Sequence, residues 1–192
     1  MNDNLKQKDM EKFEDLFKGL EAQNDMTAKF EVIANGLMNN FLIRANNKDF
    51  RLSEIEFYLY EQGKHEDNHI HSMVLANGNQ NESSLYQNKM ANWYFHYSGI
   101  DLTFGDEKNR YGGILIRSIV SVSDGKEIKG PLKLKNYLLN QYNNICSCGE
   151  FLKLVLTDEK KSYKINLDNR IGLGKMGDAE FKNRQYRFVI SK

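Results

Sequence analysis

The chain has 192 residues, 40% hydrophobic and 28% charged, with a formal net charge of +1. This is an ordinary composition for one globular domain with a real core, and the net charge alone predicts no polyanionic partner. No apolar run reaches membrane-spanning length, the charged N-terminus is not a secretory signal, and two cysteines close together in "CSC" do not suggest a disulfide framework. These features predict a cytoplasmic protein with no membrane partner.

Residues 3–22 read as an amphipathic helix in which Leu5, Phe13, Leu16, Phe17 and Leu20 share a face, and residues 28–39 as a second helix. Strand-like runs follow at 41–45, 50–60, 92–97, 100–105 and 113–122. Pro131 follows Gly130 and opens a helix, "PLKLKNYLLNQY". "SYKINL" and "YRFVI" read as late strands, separated by the loop "RIGLGKMGDAEF". Antiparallel strands beside a few helices make a single α+β domain.

Charge is unevenly spread. Residues 1–125 carry 13 basic and 19 acidic side chains, net −6, and residues 126–192 carry 14 and 7, net +7. A basic half can face phosphates, although a lysine-rich solvated surface gives the same count.

The strand from Leu52 to Tyr60 is unusual. Alternation puts Ser53, Ile55, Phe57 and Leu59 on one face, and Leu52, Glu54, Glu56, Tyr58 and Tyr60 on the other. The first face suits a core. The second is either a wet outer face or the wall of a site. "GGILIRSIV" bears on this choice, because Arg117 interrupts an apolar run and arginine is rarely buried without a partner. Glu54 and Glu56 are its natural partners if the two strands are neighbours. A carboxylate beside arginine is expected to have a lowered pKa and to remain ionised. Such a group in a cleft can orient water and accept its proton, or it can simply be a core ion pair.

His65, His69 and His71 follow in "KHEDNHIHS" with Glu66 and Asp67. They match no motif of fixed metal geometry, and a polar surface loop is the simpler reading. "NWYFHYSGIDLTFG" supplies Trp93, Tyr94, Phe95, Tyr97 and Phe104, which either stack on nucleobases or fill a core.

Six segments in order resemble the alkyladenine (3-methyladenine, methylpurine) DNA glycosylase family, over about residues 27–190. "EIEFY" resembles the family's E-T-E-A-Y, and "DNHIHS" its D-x-x-x-H-S. "WYFHYSG" looks like the strand leading to its tyrosine–glycine hairpin, and "ILIRSI" is similar to V-L-L-R-A-L. "GPLKLKNYLLN" resembles G-P-x-K-L-x-x-A-L-x-I. "RIGLGKMGDAEFKNRQYRFVI" resembles R-V-G-V-G-x-A-G-E-W-A-x-x-x-x-R-F-Y-V.

The resemblance implies a curved, open-barrel-like antiparallel sheet surrounded by helices. Residues 1–26 would be a helical segment preceding a glycosylase-like domain at 27–192. It implies a monofunctional, monomeric DNA glycosylase that hydrolyses the N-glycosidic bond of a flipped damaged purine in double-stranded DNA. It implies no cofactor and no metal. Glu56 would deprotonate the water, and Arg117 would hold that water or the developing charge. Tyr58 and His71 would line the base pocket, with Phe95 or its neighbour His96 on the hairpin strand, and the backbone carbonyl of Leu173 would face the base edge and sugar. Tyr97, Ser98, Gly99 and Lys175 would contact DNA. The family's wedge tyrosine aligns with Ser98, its pocket tyrosine with Phe95, and its asparagine on the hairpin's far side with Gly105.

The alternative is a catalytically weak relative that binds damaged or single-stranded nucleic acid. A metal-dependent hydrolase built on the histidine loop ranks last.

Overall fold

The fold is organised by one long strand. The computed structural model describes residues 3–70, 86–142, 151–159, 162–173 and 179–191. Helices α1 (Asp3–Asp15) and α2 (Thr27–Asn40) precede the hairpin of β1 (Phe41–Ala45) and β2 (Lys48–Glu61). Then follow β3 (His65–Glu66), β4 (Met90–His96), β5 (Gly99–Phe104), β6 (Arg110–Ser121), β7 (Glu127–Lys129) and α3 (Pro131–Leu139). The chain continues through β8 (Leu152–Leu156), β9 (Ile165–Asp168), α4 (Ala179–Lys182) and β10 (Arg187–Ile190). These elements form a single α+β domain. Its antiparallel sheet, ordered β4-β5-β6-β2-β1-β8, curls into a half-barrel. Strand β2 also pairs with β3 and β10, so the site-bearing strand is held along both edges.

Local sequence explains the main turns. Asn46 and Asn47 join β1 to β2 with φ of 43° and 63°, the left-handed values that a two-residue hairpin needs and that asparagine tolerates. Pro131 takes the first turn of α3, where its missing N–H costs no helical bond.

One face of the sheet is an aromatic core. Phe30 of α2 stacks on Phe57 at 4.4 Å, and Phe17 on Phe104 at 5.0 Å. Each buried ring contributes roughly 1.5–3 kcal/mol by leaving water. Phe13, Phe17, Leu20 and Met26 belong to this same core, so the N-terminal segment is part of the domain's packing.

Three expectations are corrected. The first helix ends at Asp15, beyond which three-residue-spaced bonds such as Leu16 N–H to Phe13 O tighten the chain into turns. Leu52 lies in the core with Phe50 and Ile55, because the β2–β6 register slips between Leu52 and Ile55 and shifts the alternation. Strands β3, β7 and β8 were not expected.

Candidate active site

The sheet register builds the site. Tyr94 lies opposite Asp101, Asp101 opposite Leu115, Leu115 opposite Glu56, and Glu56 opposite Arg187. Residues in one such row share a face, so Glu56 and Asp101 flank Leu115, with Cα atoms roughly 10 Å apart at ordinary strand spacing. The neighbouring Phe57 points the other way, into the core. The glycine pair of β6 makes room for this layout. A Cβ on Gly113 would lie 2.7 Å from Asp101 Oδ2, and one on Gly112 would lie 2.6 Å from the Phe104 ring.

Glu56 is fully buried and hydrogen-bonded on both oxygens. The Tyr58 hydroxyl donates to Oε2 at 2.8 Å and Arg117 Nη1 at 3.1 Å, and the backbone N–H of Ile171 donates to Oε1 at 2.9 Å. The expected lowering of its pKa is reversed. Burial raises the carboxyl above 4.5, and Arg117, the Ile171 N–H and the Tyr58 hydroxyl oppose this without cancelling it. Arg117 also donates from Nε to Glu54 at 3.1 Å, and Arg187 Nη1 reaches the same Glu54 oxygen at 3.0 Å. The register slip in β2 lies beside this pairing.

Above this floor lies a pocket of about 480 Å³. Tyr58, Arg117, Ile171 and Leu173 form one side, and His96, Ser98 and Asp101 of the β4–β5 hairpin another. Glu56 itself is not in the wall. It lies beneath three residues that are, each bonded to it.

His69 also belongs to the wall. Its Nδ1 lies 2.9 Å from Asp67 Oδ1, and Asp67 Oδ2 lies 2.5 Å from Nη1 of the buried Arg170. The Arg170 guanidinium lies over the Tyr58 ring, 4.7 Å from its centre. Burial pushes the Asp67 carboxyl up, but the His69 bonds and the Arg170 charge outweigh it and hold it below the ordinary range. An ionised Asp67 only accepts, so His69 Nδ1 carries a proton. Among the described residues, His69 Nε2 is buried without a hydrogen-bond partner.

On the hairpin, His96 Nε2 lies 3.2 Å from Asp101 Oδ1, and its Nδ1 lies 2.8 Å from Ser98 Oγ. Gln87 Nε2 donates to the other Asp101 oxygen at 2.9 Å. Tyr97 at the hairpin tip is 81% exposed. Gly99 is buried, and a Cβ there would meet Leu115 and Pro131.

The structure brings Glu56, Arg117, Tyr58, His96, Ser98, Tyr97 and Leu173 together around one pocket. Phe95 is not in that wall. Alternation turns it away from His96, and it packs on Phe151 at 5.3 Å. His71, Lys175, Cys146 and Cys148 lie outside the described residues. Sequence reasoning missed Asp101, Arg187, Ile171 and the Asp67–His69–Arg170 chain. Asp101 had a signal, as an acid inside an apolar strand. The Ile171 N–H had none. Among the described residues, no cluster of three His, Cys, Asp or Glu side chains is arranged to hold a metal ion, and no helix is long and apolar enough to cross a membrane.

Fold and site together define an α+β half-barrel protein with a buried carboxylate–arginine site under an aromatic and histidine-lined pocket. No family model matches the chain. It is 32% identical over 194 residues, 85% of this chain and 86% of the other, to "Uncharacterized protein L759" of Acanthamoeba polyphaga mimivirus. The chain belongs to the same family as that protein.

Proposed function

We propose that the protein is a monofunctional DNA glycosylase that removes alkylated or otherwise damaged purines from double-stranded DNA by hydrolysis, leaving an abasic site. The observation that carries this reading is the buried Glu56, held by Arg117, Tyr58 and Ile171 directly beneath a pocket whose 480 Å³ admits a purine base. A base inside a duplex must be extruded to reach such a pocket, at a few kcal/mol, and a damaged base costs least. The Tyr58 ring would take the extruded base, and a cationic alkylated purine gains from the ring's negative face. Glu56, once ionised, takes the proton from water as the sugar carbon is attacked.

In this reading water reaches Glu56 by displacing Arg117. The Arg117 bond, at 3.1 Å, is the longest of the three, and the Arg117 side chain is 13% exposed. Water replacing that Nη1 leaves the carboxylate with three partners and places Arg117 beside the water. Tyr97 at the hairpin tip is the candidate wedge, with Ser98 and Gly99 at its base. The reading implies a monomer working where DNA is, in the cytoplasm or at a nucleoid.

A second reading is favoured by the absence of Glu56 from the pocket wall: a relative that binds damaged or single-stranded nucleic acid without turnover. Incubating the purified protein with methylated duplex DNA separates the two. Alkali-labile abasic sites with released base support the glycosylase. Salt-sensitive binding with no abasic product supports the binder.

A further inference from the structure

Asp101 is buried in a strand whose neighbouring residues, Ile100 and Leu102, belong to the core, and the glycosylase chemistry makes no use of it. A buried carboxylate is costly unless it is paired. Both Asp101 oxygens are taken: Gln87 Nε2 donates to Oδ2 at 2.9 Å, and His96 Nε2 lies 3.2 Å from Oδ1. The other ring nitrogen of His96, Nδ1, lies 2.8 Å from Ser98 Oγ. Ser98, His96 and Asp101 thus form one hydrogen-bonded chain on a single hairpin, and all three line the pocket.

The sheet builds this chain. His96 lies opposite Gly99 and Asp101 opposite Tyr94, so His96 and Asp101 are diagonal neighbours on one face, and Gly99 has no side chain to part them. On β6, Gly113 leaves room for the carboxylate and its amide partner: a Cβ there would lie 2.7 Å from Asp101 Oδ2 and 2.8 Å from Gln87 Nε2. The Tyr94 ring stacks on His96 at 5.3 Å and holds its plane. The His96 and Asp101 side chains are 4% and 3% exposed, whereas Ser98 is half-buried at the pocket. The orienting end of the chain is dry and the hydroxyl end is accessible. With its proton on Nε2, His96 donates to Asp101 and leaves Nδ1 to accept from the Ser98 hydroxyl. A serine whose hydroxyl meets an imidazole, itself oriented by a carboxylate, is the arrangement that makes a nucleophile. Nδ1 faces the serine and Nε2 the carboxylate, and such a triad is defined by roles rather than by atom names.

We propose that Ser98, His96 and Asp101 form a hydrolytic triad, a second activity of this pocket, directed at small esters with an apolar acyl group. The inference is independent of the glycosylase reading. Leu115, Ile171 and Leu173 in the wall suit an apolar acyl chain. Ser98 Oγ attacks the carbonyl carbon, and its proton passes to His96 Nδ1. The carbonyl electron pair moves onto oxygen, with Arg117 as the cation on the other side of the pocket. Collapse breaks the bond to the alcohol, which leaves with the proton from Nδ1, and Ser98 is acylated. Water then adds to the acyl carbon and gives a proton to Nδ1. The bond from carbon to Oγ breaks, the Nδ1 proton returns to Ser98, and the carboxylic acid departs.

The test uses the purified full chain, with p-nitrophenyl butyrate as substrate and a fluorophosphonate as probe. Wild type is expected to release p-nitrophenol and to gain a phosphonyl group on Ser98, with fluoride as the leaving group, mapped by peptide mass spectrometry. Ser98→Ala should lose both reactions and keep its circular dichroism. Asp101→Asn should slow ester hydrolysis by roughly 10⁴-fold, the cost of losing the carboxylate that sets the tautomer. Ser98→Ala keeps the test decisive if Asp101→Asn does not fold, because Ser98 is half-buried and its truncation leaves His96 and Asp101 paired. An adduct on another residue, hydrolysis that persists in Ser98→Ala, or no reaction by folded wild type overturns the proposal. Release of bases from DNA is measured separately and bears on the glycosylase reading alone.

Discussion

Arg117 Nη1 lies 3.1 Å from Glu56 Oε2 across the β2–β6 ladder, and yet the Glu56 carboxyl titrates above its ordinary value. Burial outweighs the guanidinium. In the glycosylase reading, base release should therefore rise with pH through a midpoint above 4.5, the ordinary value for glutamate. Replacing Arg117 with Gln removes the largest opposing influence, so the midpoint should move further up. A pH–rate profile of both proteins checks this, and a midpoint that moves down contradicts it.

The same shift has a consequence for stability. The folded protein holds the Glu56 proton more tightly than the unfolded chain does. Its contribution is fully present below pH 4.5 and is lost as pH rises through the raised value. Glu56→Gln has no such loss. The difference in Tm between variant and wild type should move in the variant's favour as pH rises from below 4.5 through the raised value. Calorimetry below pH 4.5 and at neutral pH decides the sign.

Asp67→Asn should be strongly destabilising. It removes the countercharge of Arg170, whose side chain has no exposure, and an uncompensated buried charge costs about 3–5 kcal/mol. The Asp67 carboxyl is held below 3.8, so its contribution is present above that value and disappears as pH falls through the lower folded one. Urea unfolding at neutral pH should show the full loss, and the gap between the proteins should close in acid.

Tyr97→Ala should leave stability unchanged and weaken DNA binding. Its side chain is 81% exposed, so little packing is lost. Stacking on a base is worth about 1–3 kcal/mol, a factor of roughly 5–150 in Kd. Fluorescence titration with a lesion-containing duplex measures it, and an unchanged Kd removes Tyr97 from the interface.

Much of this arrangement was legible in the sequence because local physics dictated it. An arginine inside "ILIRSI" needs a partner, and the carboxylates of β2 were the nearest candidates. Pro131 after Gly130 marked the start of α3, and alternation marked the core face at Ile55, Phe57 and Leu59. What was hidden depends on long-range packing. The Ile171 N–H meets Glu56 from 115 residues away, and no pattern in either segment announces it. Leu52 was misplaced because a register slip leaves no trace in alternation. The direction of the Glu56 shift follows from how completely the fold encloses it. The resemblance leaves the pocket position to Phe95 or its neighbour His96, and strand geometry gives it to His96, since only one of two neighbours can face the pocket.

The central claim is that Glu56 deprotonates the attacking water. Single-turnover release of free base from methylated duplex DNA, measured with wild type and Glu56→Gln side by side, tests it most directly. The account predicts base release and abasic sites with wild type and neither with the variant, while both bind the duplex. Equal release by the two proteins would contradict it.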